Sequence, residues 1–508
     1  MTETRWRDAL SGALAAGLAL GVSELVAGLI EGAPSLVESL GNWVIDHVPP
    51  AVKDWAIAVF GTNDKLALLI GISLVTVLVG AVAGLVARNR FWIAIAVFSG
   101  FGVLAVLAAL ADPRVSTAEA AIPAVVAVIV GLATLRMLFD LGAEKTVDDG
   151  SRRRFLVGAG AVLGVAALTA GAGRFLVERA KVAVAGRAEV GLPSPVEALA
   201  DLPAAADFGI DGLTPILVPN EDFYRIDTAL SVPRVDLEEW SLSITGMVDR
   251  PFTMTFSELL EMPMVERDVT LSCVSNRVGG GLVGNARWQG VPLRDVLDLA
   301  SVSDGAEQLV ARSVDDFTVG FPVDAVYDGR EALLAIGMNG EPLPFEHGFP
   351  ARLVVAGLYG YVSATKWLSE IELTTWDGFD AYWIPRGWAK EGPIKTQSRI
   401  DTPHEDTPVT TGPNVVAGVA WAPTKGITRV EVQLGEDAEW VEAELSEPLS
   451  ESAWVQWQVA WDVADAGRHV LRCRATDGEG YTQTDEEVPP APDGATGWHT
   501  VAIMASAA

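Results

Sequence analysis

The sequence predicts three regions of different fold class: an N-terminal transmembrane α-helical bundle, an α+β domain and a C-terminal β-sandwich. Three observations predict this order. Apolar stretches of membrane-crossing length crowd residues 1–180. Short alternating strands mixed with brief helices follow from about residue 220, and from residue 408 only alternating strands remain. The bulk properties agree. A chain of 508 residues exceeds one ordinary domain. A net charge of −30 sits beside a positive mean hydropathy, as expected when apolar helices are joined to an acidic soluble part. That acidity excludes nucleic acid as a partner, since phosphates need cations.

In the first region, apolar runs cover Ala9–Ile30, Leu66–Ala87, Phe91–Ala111, Ala120–Leu141 and Phe155–Phe175. Each approaches or exceeds the roughly 20 residues that cross a bilayer as a helix. Basic residues fall in alternate connections: Arg5 and Arg7, then Arg88 and Arg90, then Lys145 and Arg152–Arg154. Positive loops stay in the cytoplasm, so everything after the fifth span is expected on the extracytoplasmic side of the cell membrane. Pro34–Phe60 reads as an amphipathic segment on the outer leaflet. Ser151-Arg-Arg-Arg-Phe-Leu156 looks like a twin-arginine export signal, the route for a domain that receives its cofactor in the cytoplasm. Glu24 lies within the first span, where a carboxylate is either functional or hydrogen-bonded and buried. The single histidine of this region, His47, is in a connection, so a haem held by two membrane histidines is not expected in this chain.

Residues 181–219 are rich in Ala, Pro and Gly and read as a linker to an α+β domain over 220–407. Trp240–Ile244 and Leu309–Arg312 have strand alternation, while Phe256–Met262 and Leu293–Ala300 have helical spacing. Cys273 follows a strand pattern and precedes Gly279-Gly-Gly281. A thiol there, near Arg277, suits a soft metal, and it equally suits a small buried hydrophobe. With two cysteines and five histidines in the chain, and none at zinc-like spacing here, zinc is excluded. Asn339-Gly340 reads as a turn.

Six ordered motifs then carry a resemblance. They are Asn220-Glu-Asp-Phe-Tyr-Arg225, Leu271-Ser-Cys-Val-Ser-Asn-Arg277, Gly284-Asn-Ala-Arg-Trp288, Met338-Asn-Gly-Glu-Pro-Leu-Pro344, His347-Gly-Phe-Pro-Ala-Arg352 and Thr365-Lys-Trp367. Together they resemble the molybdopterin enzymes of the sulfite oxidase family. The resemblance implies a sulfite oxidase-like domain holding one pterin per molybdenum, with Cys273 as the metal's protein ligand and Arg277 beside the reaction. It places Asn220, Tyr224 and Arg225 on the pterin. His347 and Arg352 would bond the pterin and its phosphate, and Thr365 and Lys366 the phosphate end, with Ser313 a looser match. Two departures bear on substrate: Val278 follows Arg277 where sulfite oxidisers carry a second arginine, and Ile336 stands where they carry a tyrosine. The expectation is therefore reduction of an S- or N-oxide. Sulfite dehydrogenation, or a surface module without metal, are the alternatives.

The last region, 408–508, shows strands at Val415–Trp421, Ile427–Leu434, Trp454–Trp461 and Gly467–Thr476. It resembles the immunoglobulin-like dimerisation domain that follows the molybdenum domain in this family, which implies a homodimer. Cys473 reads as strand core. Without a Cys-x-x-Cys-His motif, electrons are expected to pass singly to a separate electron-transfer protein or to quinone. The remaining partners are membrane lipid and a small-molecule substrate.

Overall fold

The computed structural model describes residues 2–507 except 31–32, 50–51, 53–55, 57–58, 61–63, 112–114, 142–148, 185–186, 188–189, 230–231 and 405–406. Two units result, one essentially residues 1–184 and the other the rest of the chain.

The first unit is all helix: α1 (Thr2–Leu29), α2 (Leu36–His47), α3 (Asp64–Ala87), α4 (Phe91–Ala109), α5 (Thr117–Leu141) and α6 (Asp149–Val184). Five of these are long and apolar enough to cross a membrane, consistent with anchoring there. Leu74, Leu78 and Val82 on α3 stay exposed, as lipid-facing residues do. Helix α1 packs against α3, α5 and α6. Glu24 is buried and accepts a hydrogen bond of 2.8 Å from Ser35, which caps α2. Nearby, Arg174 pairs with Glu38 at 2.7 Å. Of the expected outer-leaflet segment, α2 is helical, while Trp55 and Ile57 lie outside the described residues, as does Lys145 of the basic connection.

The second unit begins with two five-stranded sheets. In chain order the strands are β1 (Ser241–Gly246), β2 (Phe252–Thr255), β3 (Val265–Ser272), β4 (Val283–Pro292), β5 (Gln308–Ser313), β6 (Thr318–Pro322), β7 (Ala332–Met338), β8 (Glu341–Pro342), β9 (Arg352–Val355) and β10 (Leu368–Thr374). One sheet has the order β2-β1-β10-β5-β6, with β1 and β10 parallel. The other runs β3-β4-β7-β8, with β9 beside β7. Their helices are short: α7 (Phe256–Leu260), α8 (Leu293–Ala300), α9 (Asp324–Tyr327) and α10 (Gly360–Ser363). Thr255 and Glu258 close a capping box that starts α7. Both sheets bury one apolar core, with Trp288, Phe321 and Phe349 almost wholly enclosed.

The remaining strands are β11 (Gln397–Thr402), β12 (Val409–Thr410), β13 (Gly412–Trp421), β14 (Ile427–Leu434), β15 (Trp440–Glu442), β16 (Glu444–Leu445), β17 (Val455–Val463), β18 (Gly467–Asp477) and β19 (His499–Ser506). They form sheets β11-β13-β17-β16 and β12-β19-β18-β14-β15 around a common core. Cys473 is fully buried in that core, as its strand pattern predicts.

Two expectations need correction. The sandwich begins before residue 408, because β11 pairs antiparallel with β13 over Gln397–Thr402. The 181–219 segment is no free linker. Helix α6 continues to Val184, and the irregular arm in the second unit is bonded to the rest of that unit through Val196 to Met264 (2.7 Å) and Val218 to Asn285 (2.9 Å). Pro and Gly remove periodicity from such an arm, so its order comes from local turns such as Ala206 N–H to Pro203 O and from partners distant in sequence.

Candidate active site

The site forms where several chain reversals meet. Strand β3 ends at Ser272 and delivers Cys273 into the loop before β4. That loop is closed by Cys273 N–H donating to Leu282 O at 2.9 Å, and by Leu282 N–H donating to Asn276 Oδ1 at 2.9 Å. Strand β5 ends at Ser313, β9 opens at Arg352, and Lys366 stands just before β10. His347 closes a short 3-10 turn, Phe345–His347. Gly348 follows with φ +110°, and a Cβ there would lie 3.0 Å from Lys366 and 3.1 Å from Arg352. Its bare backbone lets both cations approach the turn.

These elements enclose a cleft of about 920 Å³, counting the part open to solvent. Six expected residues line it: Tyr224, Cys273, Ser313, His347, Arg352 and Lys366. The other four do not. Asn220 acts behind the wall, where its carbonyl accepts from His347 Nε2–H at 2.9 Å. Arg225 is partly exposed and pairs with Asp227 at 2.8 Å. Thr365 is fully buried, and its hydroxyl has no hydrogen-bond partner. Arg277 is exposed and stands outside the lining, so the expected cation beside the reaction is not brought to the cleft. Nor does Ile336 face the cleft; it is 1 % exposed in the core run of β7, which removes it from any argument about substrate.

Burial sets the electrostatics. The Arg352 guanidinium is 4 % exposed and donates only to the carbonyls of His347 (3.1 Å) and Leu353 (3.3 Å), while stacking over Trp288 at 4.9 Å. Enclosure without a carboxylate pulls its pKa down to about 10. Lys366 is pulled down to about 8 by burial, despite Asp227 at 3.2 Å. His347 is lowered to about 4 by burial and by Arg352, so it is neutral near pH 7, with Nε2–H on Asn220 and Nδ1 free to accept. Burial pushes the Cys273 thiol and the Tyr224 hydroxyl up. A buried guanidinium, a largely buried ammonium and a neutral histidine therefore line a cavity that also receives a thiol. This donor set fits a phosphate-bearing pterin with a soft metal at its other end.

Lys366 carries a pH prediction. Its folded pKa of about 8 lies below the ordinary 10.5, so between these values the unfolded chain binds the extra proton. The empty fold gains stability as pH rises through that window. Phosphate binding needs the charged form, so loading should do the opposite. Reconstitution of the empty chain with cofactor should fall several-fold between pH 7 and pH 9, read as pterin content. Equal loading at both values would show that Lys366 does not meet the phosphate.

Several residues at the site carried no motif. Asp227, Asp315, Phe317, Tyr361, Trp383 and Trp388 all line the cleft. Among these, the aromatic density of residues 376–388 was a visible signal, against 7 % aromatics overall. The sandwich also reaches the cysteine loop. Arg399 on β11 donates to Gly280 O at 2.9 Å, and the His499 ring from β19 occupies the space a side chain on Gly279 would need.

Residues 229–383 match the family described as the oxidoreductase molybdopterin binding domain, and residues 391–505 match the Mo-co oxidoreductase dimerisation domain. The chain is 28% identical over 320 residues to mitochondrial sulfite oxidase of Rattus norvegicus, covering 54% of this chain and 58% of that protein. It therefore spans little more than half of that relative's length. It is 33% identical over 157 residues to the uncharacterized oxidoreductase YuiH of Bacillus subtilis, covering 31% of this chain and 76% of that one. Among solved structures, the sulfane dehydrogenase SoxCD from Paracoccus pantotrophus aligns with TM-score 0.50 and 26% identity, over 61% of this chain and 90% of that chain.

Proposed function

Because this chain belongs to the sulfite oxidase family of molybdopterin-dependent oxidoreductases, we propose that it reduces organic S- or N-oxides at the extracytoplasmic face of the cell membrane. One observation carries the site assignment: Arg352 is a buried guanidinium with no carboxylate partner among the described residues, in the same cleft as the Cys273 thiol. A buried cation of that kind needs an anion.

The cofactor is molybdopterin. When bound, it supplies two-electron redox chemistry with transfer of an oxygen atom. Arg352 and Lys366 hold the phosphate end, with Thr365 Oγ1 as a further donor. His347 accepts from the pterin through Nδ1, while Asn220 holds its ring. Ser313 and Tyr224 stand along the same wall. Cys273 would hold the metal through its thiolate, which requires loss of a proton that burial otherwise retains. Arg277 is exposed, and we assign it to the approach of the substrate or redox partner, not to bond-making.

The basic connections of the helical unit, together with Ser151–Leu156, support an extracytoplasmic site reached by export in the folded state. The two-sheet domain we read as immunoglobulin-like and dimer-forming, in keeping with the family it matches. A separate one-electron carrier protein, or quinone, supplies the electrons.

The test is molybdenum and pterin analysis of purified protein, followed by a reduced-dye assay against S- and N-oxides beside sulfite oxidation. Stoichiometric molybdenum with oxide-dependent dye oxidation is expected. Turnover of sulfite without turnover of oxides would replace this reading by sulfite dehydrogenation. A well-folded protein matured without metal would leave only a surface module.

A further inference from the structure

Part of the cleft lining has a different chemistry. Phe317, Tyr361, Trp383 and Trp388 form it, together with the carboxylate of Asp315. The rings form a linked wall. Tyr361 meets Trp388 at 5.9 Å, Trp388 meets Trp383 at 6.4 Å, and Tyr382 behind them joins Trp383 at 5.1 Å to Phe317 at 5.6 Å. The wall is preset: Tyr361 O–H donates to Ala389 O at 2.7 Å, and Lys390 Nζ ties Phe379 O and Asp380 together at 2.9 Å each. Such rigidity lowers the cost of ordering the site around a ligand.

The charge balance points the same way. Arg352 and Lys366 are the cleft's only lysine or arginine lining residues among those described. Both are committed to the cofactor's phosphate, and His347 is neutral. Of the two acids, Asp227 holds Lys366 and Arg225, whereas Asp315 accepts only the Phe317 N–H at 3.4 Å. With the phosphate in place, a small oxyanion entering the cleft finds no free cation and meets a carboxylate. Aromatic faces beside a carboxylate favour apolar and cationic groups instead.

We propose that Phe317, Tyr361, Trp383, Trp388 and Asp315 form a specificity site that accepts oxides whose substituents are apolar and uncharged or cationic, and rejects anions. The proposal rests on the oxide-reductase reading above. In the reaction it serves, the S–O or N–O bond breaks and the sulfur or nitrogen gains two electrons. The oxygen leaves as water with two protons, and the electrons arrive singly from a carrier protein. A tertiary amine product is protonated at neutral pH, and Asp315 faces that charge.

The experiment uses the full-length, cofactor-loaded protein in detergent. Methyl phenyl sulfoxide and trimethylamine N-oxide are compared with a carboxylate-bearing aryl methyl sulfoxide by reduced-dye assay. Binding of tetramethylammonium is measured separately by calorimetry. Both uncharged oxides should exceed the anionic one by about tenfold in kcat/KM. Trp383→Ala and Trp388→Ala should raise KM about tenfold with kcat little changed. Asp315→Asn should weaken tetramethylammonium by a similar factor. Trp388→Phe, which retains a ring, should restore much of the loss and guards against misfolding in the alanine variants. Oxides reduced irrespective of charge, with wild-type KM in the tryptophan variants and no tetramethylammonium binding, would overturn this proposal and leave oxide reduction standing. Sulfite turnover with no oxide reduction would overturn both.

Discussion

Cys273→Ser should keep the fold and lose the metal. The side chain is 7 % exposed, and serine differs from it by one atom. The loop is held by backbone bonds that the change does not touch: Cys273 N–H to Leu282 O at 2.9 Å and Asn276 N–H to Cys273 O at 3.0 Å. Arg399 and His499 support the same loop from the sandwich. What disappears is a soft thiolate, and a hydroxyl is a poor substitute for it. Changes one shell away from a metal typically cost about 10- to 100-fold. Loss of the protein's own ligand should exceed that, with dye-linked activity down by at least about a thousandfold and the molybdenum signal in electron paramagnetic resonance abolished. The far-ultraviolet circular dichroism should be unchanged. A variant with a normal molybdenum signal would remove Cys273 from the metal and with it the mechanism above.

Arg352→Met should raise the stability of the empty protein and weaken its hold on the cofactor. Within the chain the guanidinium is buried against two carbonyls and Trp288, with no carboxylate beside it among the described residues. Its pKa falls to about 10, below the ordinary 12.5, so the fold disfavours its charge. Near neutral pH the group is charged in both folded and unfolded states, and the fold carries that penalty throughout. Methionine fills similar volume without the charge, so the empty variant should melt a few degrees higher. With cofactor present the sign reverses. A charge-assisted hydrogen bond contributes about 1.5–3 kcal/mol, so retention should fall about 10- to 100-fold, read as pterin remaining after dialysis. Arg352→Lys should recover part of it, as a point charge without the fork. A stabilised empty variant that still retains its pterin would place the phosphate elsewhere.

Much of the architecture was legible because it is written in local periodicity. The five membrane-length helices fall close to their apolar runs, and Leu293–Ala300 and Ile427–Leu434 coincide with their elements. The motifs led to Cys273, His347, Arg352 and Lys366, and these do meet in one cleft. They failed for Arg277 and Ile336, neither of which lines the cleft: Arg277 is exposed on the loop whose Cys273, Val274 and Ser275 reach it, and Ile336 is buried in the core run of β7. Within a loop or a buried strand, adjacent residues point in different directions, and motif proximity does not encode which one faces inward.

The sequence by itself determined where the apolar spans lie, which cysteine belongs to the cofactor motif and in what order the regions follow. Each of these depends on residues close together in the chain or on an ordered set of short motifs. Only the tertiary structure decided that Arg352 has no carboxylate partner among the described residues, that Asp227 pairs with Lys366, and that Trp383 and Trp388 line the thiol's cleft. Whether a charge is paired and whether a ring meets a cavity depend on partners brought from distant strands, and burial makes those partnerships matter energetically.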